Sequence, residues 1–103
     1  MSAWDVTDPK AVRAAAAECD RIGRTVFLHK YGYGPAREYV LVMDGREYDS
    51  KAVLGVAHGY QFPGRGALIA QGEGFKGGQR MTRLLEGLGF QVFRKLGGPD
   101  RTD

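Results

Sequence analysis

Residues 46–60 gather several side chains that could do chemistry around one predicted junction between a strand and a helix. They read REYDSKAVLGVAHGY and include an acid, a hydroxyl, a lysine and a histidine. The triplet Asp49-Ser50-Lys51 fits the D-x-K half of a metal-dependent nuclease site, in which the acid binds Mg²⁺ and the lysine stabilises the phosphate. That chemistry needs a second carboxylate from a neighbouring strand. Asp44 lies in a turn and Glu47 faces away from Tyr48, so the nuclease remains the less favoured alternative.

A helix start is the favoured interpretation of the same triplet. Asp49 or Ser50 would accept hydrogen bonds from the unpaired N–H groups of a helix that continues through about Tyr60. The free amides, the positive end of the helix and Lys51 together suit a phosphate oxygen. We therefore predict a capping role for the acid, and phosphate contacts from Ser50 and Lys51.

The histidines and the cysteine indicate no catalytic or metal centre. His29 and His58 lie in different predicted elements, and His58 falls within an apolar helix, where a hydrogen-bonded structural role is favoured. Cys19 is the only cysteine and lies on the apolar face of the first helix, so it is a poor nucleophile and fits a reducing cytoplasm. The chain contains no asparagine, which excludes an HNH centre within these residues. We expect no catalytic residue, no metal and no cofactor.

A glycine-rich segment precedes the last predicted helix. Gly72–Gly77 matches G-x-G-x-x-G, but a dinucleotide site needs a long preceding strand and a βαβ crossover. Only the short apolar pair Leu68-Ile69 precedes it, so we interpret the match as coincidental. A glycine-rich turn with Lys76, leading into a helix that carries Arg80 and Arg83, can still bind a backbone phosphate.

The charge of the chain is mildly basic and unevenly distributed. The formal net charge is +3 and the pI about 9.2. Between Lys76 and Lys95 five cations meet one acid, Glu86, which predicts either a basic face for a phosphate backbone or an ordinary solvated helix face. No apolar run is long enough for a transmembrane helix, and the amino terminus does not resemble a signal peptide. We expect a cytoplasmic protein without membrane contact.

Two aromatic residues lie in predicted loops rich in glycine and proline. Tyr33 and Phe62 occupy these loops, where a ring is harder to bury. Aromatic rings beside cations can stack on an unpaired or flipped base. The alternative, in which the loops fold back onto the core, stays open.

The periodicity predicts an α+β fold: a small single domain of about four helices with a β-hairpin and a short C-terminal strand. Its hairpin turn is Asp44-Gly45, and Val26, Phe27 and Tyr31 are expected to face inward from the second helix. The predicted helices and strands lie at about 9–22, 25–31, 39–43, 46–48, 50–60, 79–87 and 90–93. Residues 1–96 would form the domain, and residues 97–103 a flexible tail or the start of a linker.

Four segments resemble a known family. They read FLHKYGYGPAREY (27–39), DGREYDSKAVLGVAHGY (44–60), FKGG (75–78) and LGFQV (88–92). Together they resemble the N-terminal head domain of McrA-type, modification-dependent (type IV) HNH restriction endonucleases of actinobacteria. The resemblance spans about residues 12–92. In that family such a head precedes a sulfur-binding or methylcytosine-binding domain and a C-terminal HNH nuclease domain.

The resemblance implies a DNA-binding accessory module that is not catalytic in isolation, with or without its own ability to sense modified DNA. Its partners would be DNA and the other domains of the parent nuclease. A protein-interaction or homodimerisation domain, with the Phe90–Phe93 strand and the Leu68-Ile69 loop as its surface, is the alternative. From the residues themselves we predict these DNA contacts: Tyr33, Arg37, Arg46, Ser50, Lys51, Phe62, Lys76, Arg80 and Arg83.

Overall fold

The structure is a computed structural model and describes residues 3–34, 39–68 and 79–94. Some of the predictions above fall outside the described residues. They concern Arg37, Lys76, Ile69, the Gly72–Gly77 segment and the tail at 97–103.

Four α-helices and a three-stranded antiparallel sheet form the described part of the chain, which confirms the predicted α+β class. A short 3₁₀ helix (Ala3–Asp5) precedes the first α-helix. The other elements are α1 (Pro9–Ile22), α2 (Arg24–Tyr31), β1 (Tyr39–Met43), β2 (Arg46–Asp49), α3 (Ser50–Gln61), α4 (Gln79–Gly87) and β3 (Gln91–Arg94). None of the helices in these ranges is long and apolar enough to cross a membrane.

Helix α1 begins and ends where its capping residues predict. The Asp8 carboxylate accepts a hydrogen bond from the Lys10 N–H at 2.9 Å, and Pro9 occupies the first helical position. At the other end Gly23 has φ +91°, and its N–H donates to the Cys19 carbonyl at 2.8 Å. Both boundaries therefore follow from local sequence chemistry.

Helix α2 stops at Gly32, as predicted, but it presents a different face to the core. Phe27 and Leu28 are buried and Tyr31 is half-buried, whereas Val26 is 56% exposed. At about 100° per residue, Val26 lies on the far side of the helix from those three residues. The prediction that Val26 faces inward is wrong because so short a helix buries only one narrow side.

The predicted hairpin is confirmed. Asp44 and Gly45 have φ +53° and +78°, the left-handed pair that a two-residue type I′ turn requires. Met43 and Arg46 pair directly across the turn, and β1 lies between β2 and β3 in the sheet. Leu41 on β1 points into the core formed with α1 and α3.

Helices α1 and α3 run antiparallel and are tied together at both ends. At one end the Gln61 Oε1 accepts from the backbone N–H groups of Thr7 and Asp8, at 2.8 and 3.0 Å. At the other end Arg24, just after α1, pairs with Asp49, just before α3. Because α3 rises about 1.5 Å per residue, these two ties lie about 18 Å apart.

Two glycines of α3 let the following loop approach the helix closely. A Cβ on Gly59 would lie 2.5 Å from the Ala67 nitrogen, and the Gly55 carbonyl accepts from the Leu68 N–H at 3.0 Å. The Tyr33 hydroxyl donates to the Leu68 carbonyl at 2.6 Å. This loop and α3 therefore enclose Tyr33 on two sides.

Candidate functional site

The acid at the junction between strand β2 and helix α3 is held by an arginine. Asp49 is buried, and its two carboxylate oxygens accept from Arg24 Nε at 2.7 Å and Arg24 Nη2 at 2.9 Å. Asp49 occupies the N-cap position, yet its side chain makes no capping hydrogen bond. The predicted capping by the Asp49 carboxylate is therefore wrong, because the guanidinium of Arg24 binds that group. The same hydrogen bond raises the pKa of Arg24.

The next two residues differ in their access to a ligand. Ser50 is 1% exposed, and its hydroxyl donates to the Tyr39 carbonyl at 2.9 Å. It is the first residue of α3 and faces β1, so its predicted contact with phosphate does not fit its position. Lys51 is half-buried in the first turn of α3. Its contact with phosphate stays a prediction.

Arg46 also lies beside a carboxylate. Its Nη1 is 3.3 Å from Asp20 Oδ1, and both side chains are exposed to solvent. The Tyr48 hydroxyl donates to the same carboxylate at 2.9 and 3.0 Å. Burial raises the pKa of Tyr48, and the hydrogen bond to Asp20 raises it further. The positive charge of Arg46 is thus partly balanced within the protein.

Two other arginines, Arg80 on helix α4 and Arg13 on helix α1, have aromatic neighbours instead. The guanidinium carbon of Arg80 lies 4.4 Å from the centroid of the Trp4 ring, and that of Arg13 lies 5.2 Å from the Phe90 ring. Arg83 lies one turn after Arg80 and is exposed. Within the described residues, none of these arginines forms an ion pair with an acid. We call this surface, formed by Arg13, Arg80 and Arg83, the arginine face.

The predicted DNA-binding cations therefore fall into two groups. Arg46 and Lys51 lie near the amino end of α3, whereas Arg80 lies against Trp4. The segment that carries Trp4 is tied to the carboxyl end of α3 through the bond to Gln61. The two groups are thus separated by roughly the length of α3, about 18 Å. The structure does not bring them into one compact site.

The two loop aromatics have different environments. Tyr33 is 8% exposed, and its hydroxyl is occupied by the Leu68 carbonyl. Burial strongly raises its pKa. The predicted exposure of the Tyr33 ring to a base is therefore wrong, because its loop folds back onto the core. Phe62 is half-buried, and its ring centroid lies 5.0 Å from that of the His58 ring.

The histidine and cysteine positions agree with structural roles. His58 is 1% exposed, and its Nδ1 lies 2.9 Å from the Gly66 carbonyl, which can only accept, so Nδ1 carries the hydrogen. Burial raises the pKa of Cys19. In the part of the chain that the structure describes, no group of three His, Cys, Asp or Glu residues could hold a metal ion. With Asp49 bound to Arg24, the geometry gives the nuclease alternative no support there.

A polar cleft that the sequence interpretation did not predict lies between α1, α2 and α3. At its centre the carboxylate of Glu18, only 3% exposed, accepts three hydrogen bonds. These come from Lys30 Nζ at 2.8 Å, the Tyr31 hydroxyl at 2.8 Å and the Tyr60 hydroxyl at 2.7 Å. One sequence signal could have revealed it: Glu18 interrupts the apolar stripe of α1 beside Cys19.

The Glu18 cleft, as we call it, is open to solvent and has a volume of about 370 Å³. Burial alone would raise the pKa of Glu18, but the hydrogen bonds from Lys30, Tyr60 and Tyr31 outweigh it and hold the pKa below its usual value. The hydrogen bond to Glu18 raises the pKa of Lys30 and of Tyr60. The residues that line the cleft are Glu18, Arg21, Lys30, Tyr31, Val56, Gly59, Tyr60, Gly66 and Ala67.

Comparisons with known proteins give two findings. A family model described as the ScoMcrA-like N-terminal head domain matches residues 4–94. The fold is similar to a solved structure titled "Structure of the Type IV phosphorothioation-dependent restriction endonuclease ScoMcrA", with a TM-score of 0.62 and 29% sequence identity. That similarity covers 91% of this chain and 13% of that chain. No curated protein matches the chain. The resemblance to a restriction-endonuclease head domain is thereby confirmed.

Proposed function

Because the chain belongs to the ScoMcrA-like N-terminal head domain family, we propose that it is a DNA-binding accessory module of a modification-dependent restriction endonuclease. The module itself would carry no catalytic residue. Its parent would be a cytoplasmic HNH endonuclease, with residues 1–96 as the head and 97–103 as the start of a linker.

The observation that carries this proposal is the arginine face. Arg80 and Arg83 project from one side of α4, and the single acid of that helix, Glu86, forms no ion pair within the described residues. A guanidinium stacked on a ring keeps its full charge and its outward N–H donors, whereas one bound to a carboxylate does not. Arginines of this kind suit the oxygens of a phosphate backbone.

The remaining predicted contacts rank behind this surface. Arg46 and Lys51 would form a second and weaker point of contact at the amino end of α3. Phe62 has a partly exposed ring near the carboxyl end of α3. Arg37 and Lys76 stay in the proposal on the strength of the sequence alone. Tyr33 and Ser50 leave it because both are buried.

A duplex-binding assay tests the proposal. Fluorescence anisotropy of a labelled duplex should give an affinity that falls steeply with salt, since each phosphate contact releases counterions. The double variant Arg80→Met and Arg83→Met should bind roughly tenfold more weakly or worse, with the salt slope reduced by about 2. Arg65→Met, which removes an exposed cation from the loop after α3, is the matched control and should bind normally. An undetectable or salt-insensitive affinity would refute the proposal.

Recognition of a modification is the finer part of the proposal. The solved relative is described as phosphorothioation-dependent, so the panel should compare unmodified, phosphorothioate, cytosine-methylated and adenine-methylated duplexes. A preference that the double variant removes would assign the sensing to this head. Equal affinity for all four duplexes would leave the head as a binding module and place the discrimination in other domains of the parent.

One observation favours a second candidate, an interaction domain. Phe93 is 55% exposed on β3, which is an edge strand of the sheet among the described residues. Edge strands with exposed apolar side chains pair readily with another chain. Sedimentation velocity over a range of concentrations tests this role. A dimer that Phe93→Thr dissociates, together with no DNA binding, would favour it over the first proposal.

A further inference from the structure

We propose that the Glu18 cleft binds a single nucleotide, with the phosphate at Arg21 and Lys30 and the base against the ring of Tyr60. For a nucleotide within DNA this inference rests on the proposed function. For a free mononucleotide it stands alone. The cleft lies on the flank of α1 opposite to Arg13, since residues 13 and 18 are about 140° apart around the helix. It is therefore separate from the arginine face.

The rim of the cleft is suited to an anion. Arg21 is exposed and forms no ion pair with an acid of the described residues. Lys30 uses part of its ammonium group on Glu18, yet its side chain is 54% exposed. An ammonium carries three donors, so Lys30 can bind Glu18 and a further oxygen at once. With Glu18 counted as one negative charge and the two cations as positive, the cleft carries a net charge of +1.

The walls of the cleft are suited to a planar ring. Tyr60 is 42% exposed, while its hydroxyl is anchored to Glu18 at 2.7 Å, so the ring is fixed at one end and open to solvent on the other side. Tyr31 is anchored on the same carboxylate and packs edge-on against Phe27 with centroids 5.4 Å apart. Rings that are already fixed lose little entropy when a base stacks on them.

The size of the cleft limits the occupant. A volume of about 370 Å³ lies at the small end of the range of roughly 300–1,000 Å³ for sites that bind small molecules. Gly59, Gly66 and Ala67 contribute little side-chain volume to the lining. A paired duplex cannot enter such a space, so a nucleotide of DNA would have to be unpaired or extruded from the stack.

Glu18 has a specific part in this site. An ionised carboxylate offers about four acceptor positions, and three are occupied by Lys30, Tyr31 and Tyr60. The buried charge therefore orients all three side chains at once. We assign Glu18 as a positioning residue, which acts on the nucleotide through its neighbours.

Titration of the protein with four small probes tests the chemistry of the site. Amide chemical-shift changes by NMR should appear at Arg21, Lys30 and Tyr60 with deoxycytidine or deoxyadenosine monophosphate. Deoxyribose 5-phosphate, which lacks the base, and the nucleoside, which lacks the phosphate, should each bind roughly tenfold more weakly. Shifts confined to other residues, or equal binding of the probe without a base, would overturn the assignment.

Three variants of the cleft and one control variant separate a loss of binding from a loss of structure. Arg21→Ala and Tyr60→Leu should each weaken mononucleotide binding roughly tenfold, whereas Tyr60→Phe keeps the ring and should restore it to within about threefold. Lys10→Ala removes another exposed cation of α1, away from the cleft, and should have no effect. Thermal unfolding of each variant confirms that the fold is intact. Normal binding by a folded Arg21→Ala or Tyr60→Leu would refute the site.

A duplex with one unpaired nucleotide, compared with a fully paired duplex, identifies the source of the nucleotide. The duplex with the unpaired nucleotide should bind more tightly than the paired duplex. If Arg21→Ala removes this extra affinity and leaves the affinity for the paired duplex unchanged, the cleft binds an extruded nucleotide. Binding of mononucleotides without this preference restricts the site to the free ligand. Duplex binding through the arginine face with an unresponsive cleft would refute the inference and leave the proposed function intact. Mononucleotide binding in the cleft without any duplex binding would support the inference and refute the proposed function.

Discussion

The arginines at the two ends of the α1–α3 pair differ in what they contact. At the junction before α3, Arg24 binds the carboxylate of Asp49, and Arg46 lies beside Asp20. Along α4, Arg80 lies over Trp4, and Arg83 has no acidic partner in the described residues. A carboxylate neutralises a guanidinium and fixes it for folding, while an aromatic ring supports it and leaves its charge available. The number of cations in a sequence therefore overestimates the positive charge that is available to a ligand.

The largest effect should come from removing the exposed arginine that pairs with the buried carboxylate of Asp49. Arg24→Met leaves the Asp49 carboxylate buried without its bidentate partner, and we expect the free energy of unfolding to fall by about 2–3 kcal/mol. Urea denaturation measures the loss. DNA affinity should stay unchanged in the folded protein. If Arg24→Met weakens DNA binding and leaves stability unchanged, the contrast between the two regions is wrong.

Arg80→Lys tests the other region. Lysine keeps the charge but loses the guanidinium contact over the Trp4 ring and the forked donors, so DNA affinity should fall roughly threefold to tenfold while the salt slope stays the same. Anisotropy titrations at several salt concentrations measure the affinity and its salt slope separately. The free energy of unfolding should change by less than about 1 kcal/mol. A stability loss as large as that of Arg24→Met would show that Arg80 is structural too.

The Glu18 cleft lies between the two regions in character, because its carboxylate is hydrogen-bonded like Asp49 but lies beside open space. Its stability can be tested by changing the pH. Its pKa in the folded protein is below the usual value of 4.5, so the stabilisation is complete above about pH 4.5 and is lost as the pH falls through the lower, folded value. Glu18→Gln should unfold more easily at pH 7 and show a flatter loss of stability toward acid. Denaturation midpoints between pH 7 and pH 3 provide the measurement. If Glu18→Gln loses stability toward acid as steeply as the parent, other carboxylates control the acid dependence.

The smallest effect is expected for Arg46→Met. The pair with Asp20 is exposed at both side chains, and such surface pairs contribute little to stability. Denaturation curves should superimpose on those of the parent within error. Tyr48→Phe is a useful second variant, because it removes the hydroxyl that also binds Asp20. A larger effect for Arg46→Met than for Arg24→Met would reverse the ranking on which the comparison depends.

Local chemistry allowed much of the fold to be predicted. The cap at Asp8, the left-handed turn at Asp44-Gly45 and the apolar run of α3 each act within a few residues, so a single sequence is enough to predict them. The partners of the polar side chains act over longer distances. Arg24 meets Asp49 25 positions away, and Glu18 meets Tyr60 42 positions away. No periodicity contains that information.

The same reason explains why the candidate site was only partly predicted. Arg80 and Arg83 follow from charge and helical spacing alone. Tyr33 looked exposed because its loop is rich in glycine, but its hydroxyl meets a carbonyl 35 positions away. The Glu18 cleft needs three helices to converge, so the sequence offers only the hint of an acid in an apolar stripe.

Trp4 is the only tryptophan of the chain, and it lies directly under Arg80. Its neighbours Ala3 and Val6 are buried, which anchors the ring to the body of the protein. The domain therefore contains its own optical reporter at the edge of the proposed DNA surface. Occupancy of that surface should alter the intensity of indole emission, while global unfolding should shift its wavelength to the red. Fluorescence of the unlabelled protein would therefore follow both DNA binding and unfolding.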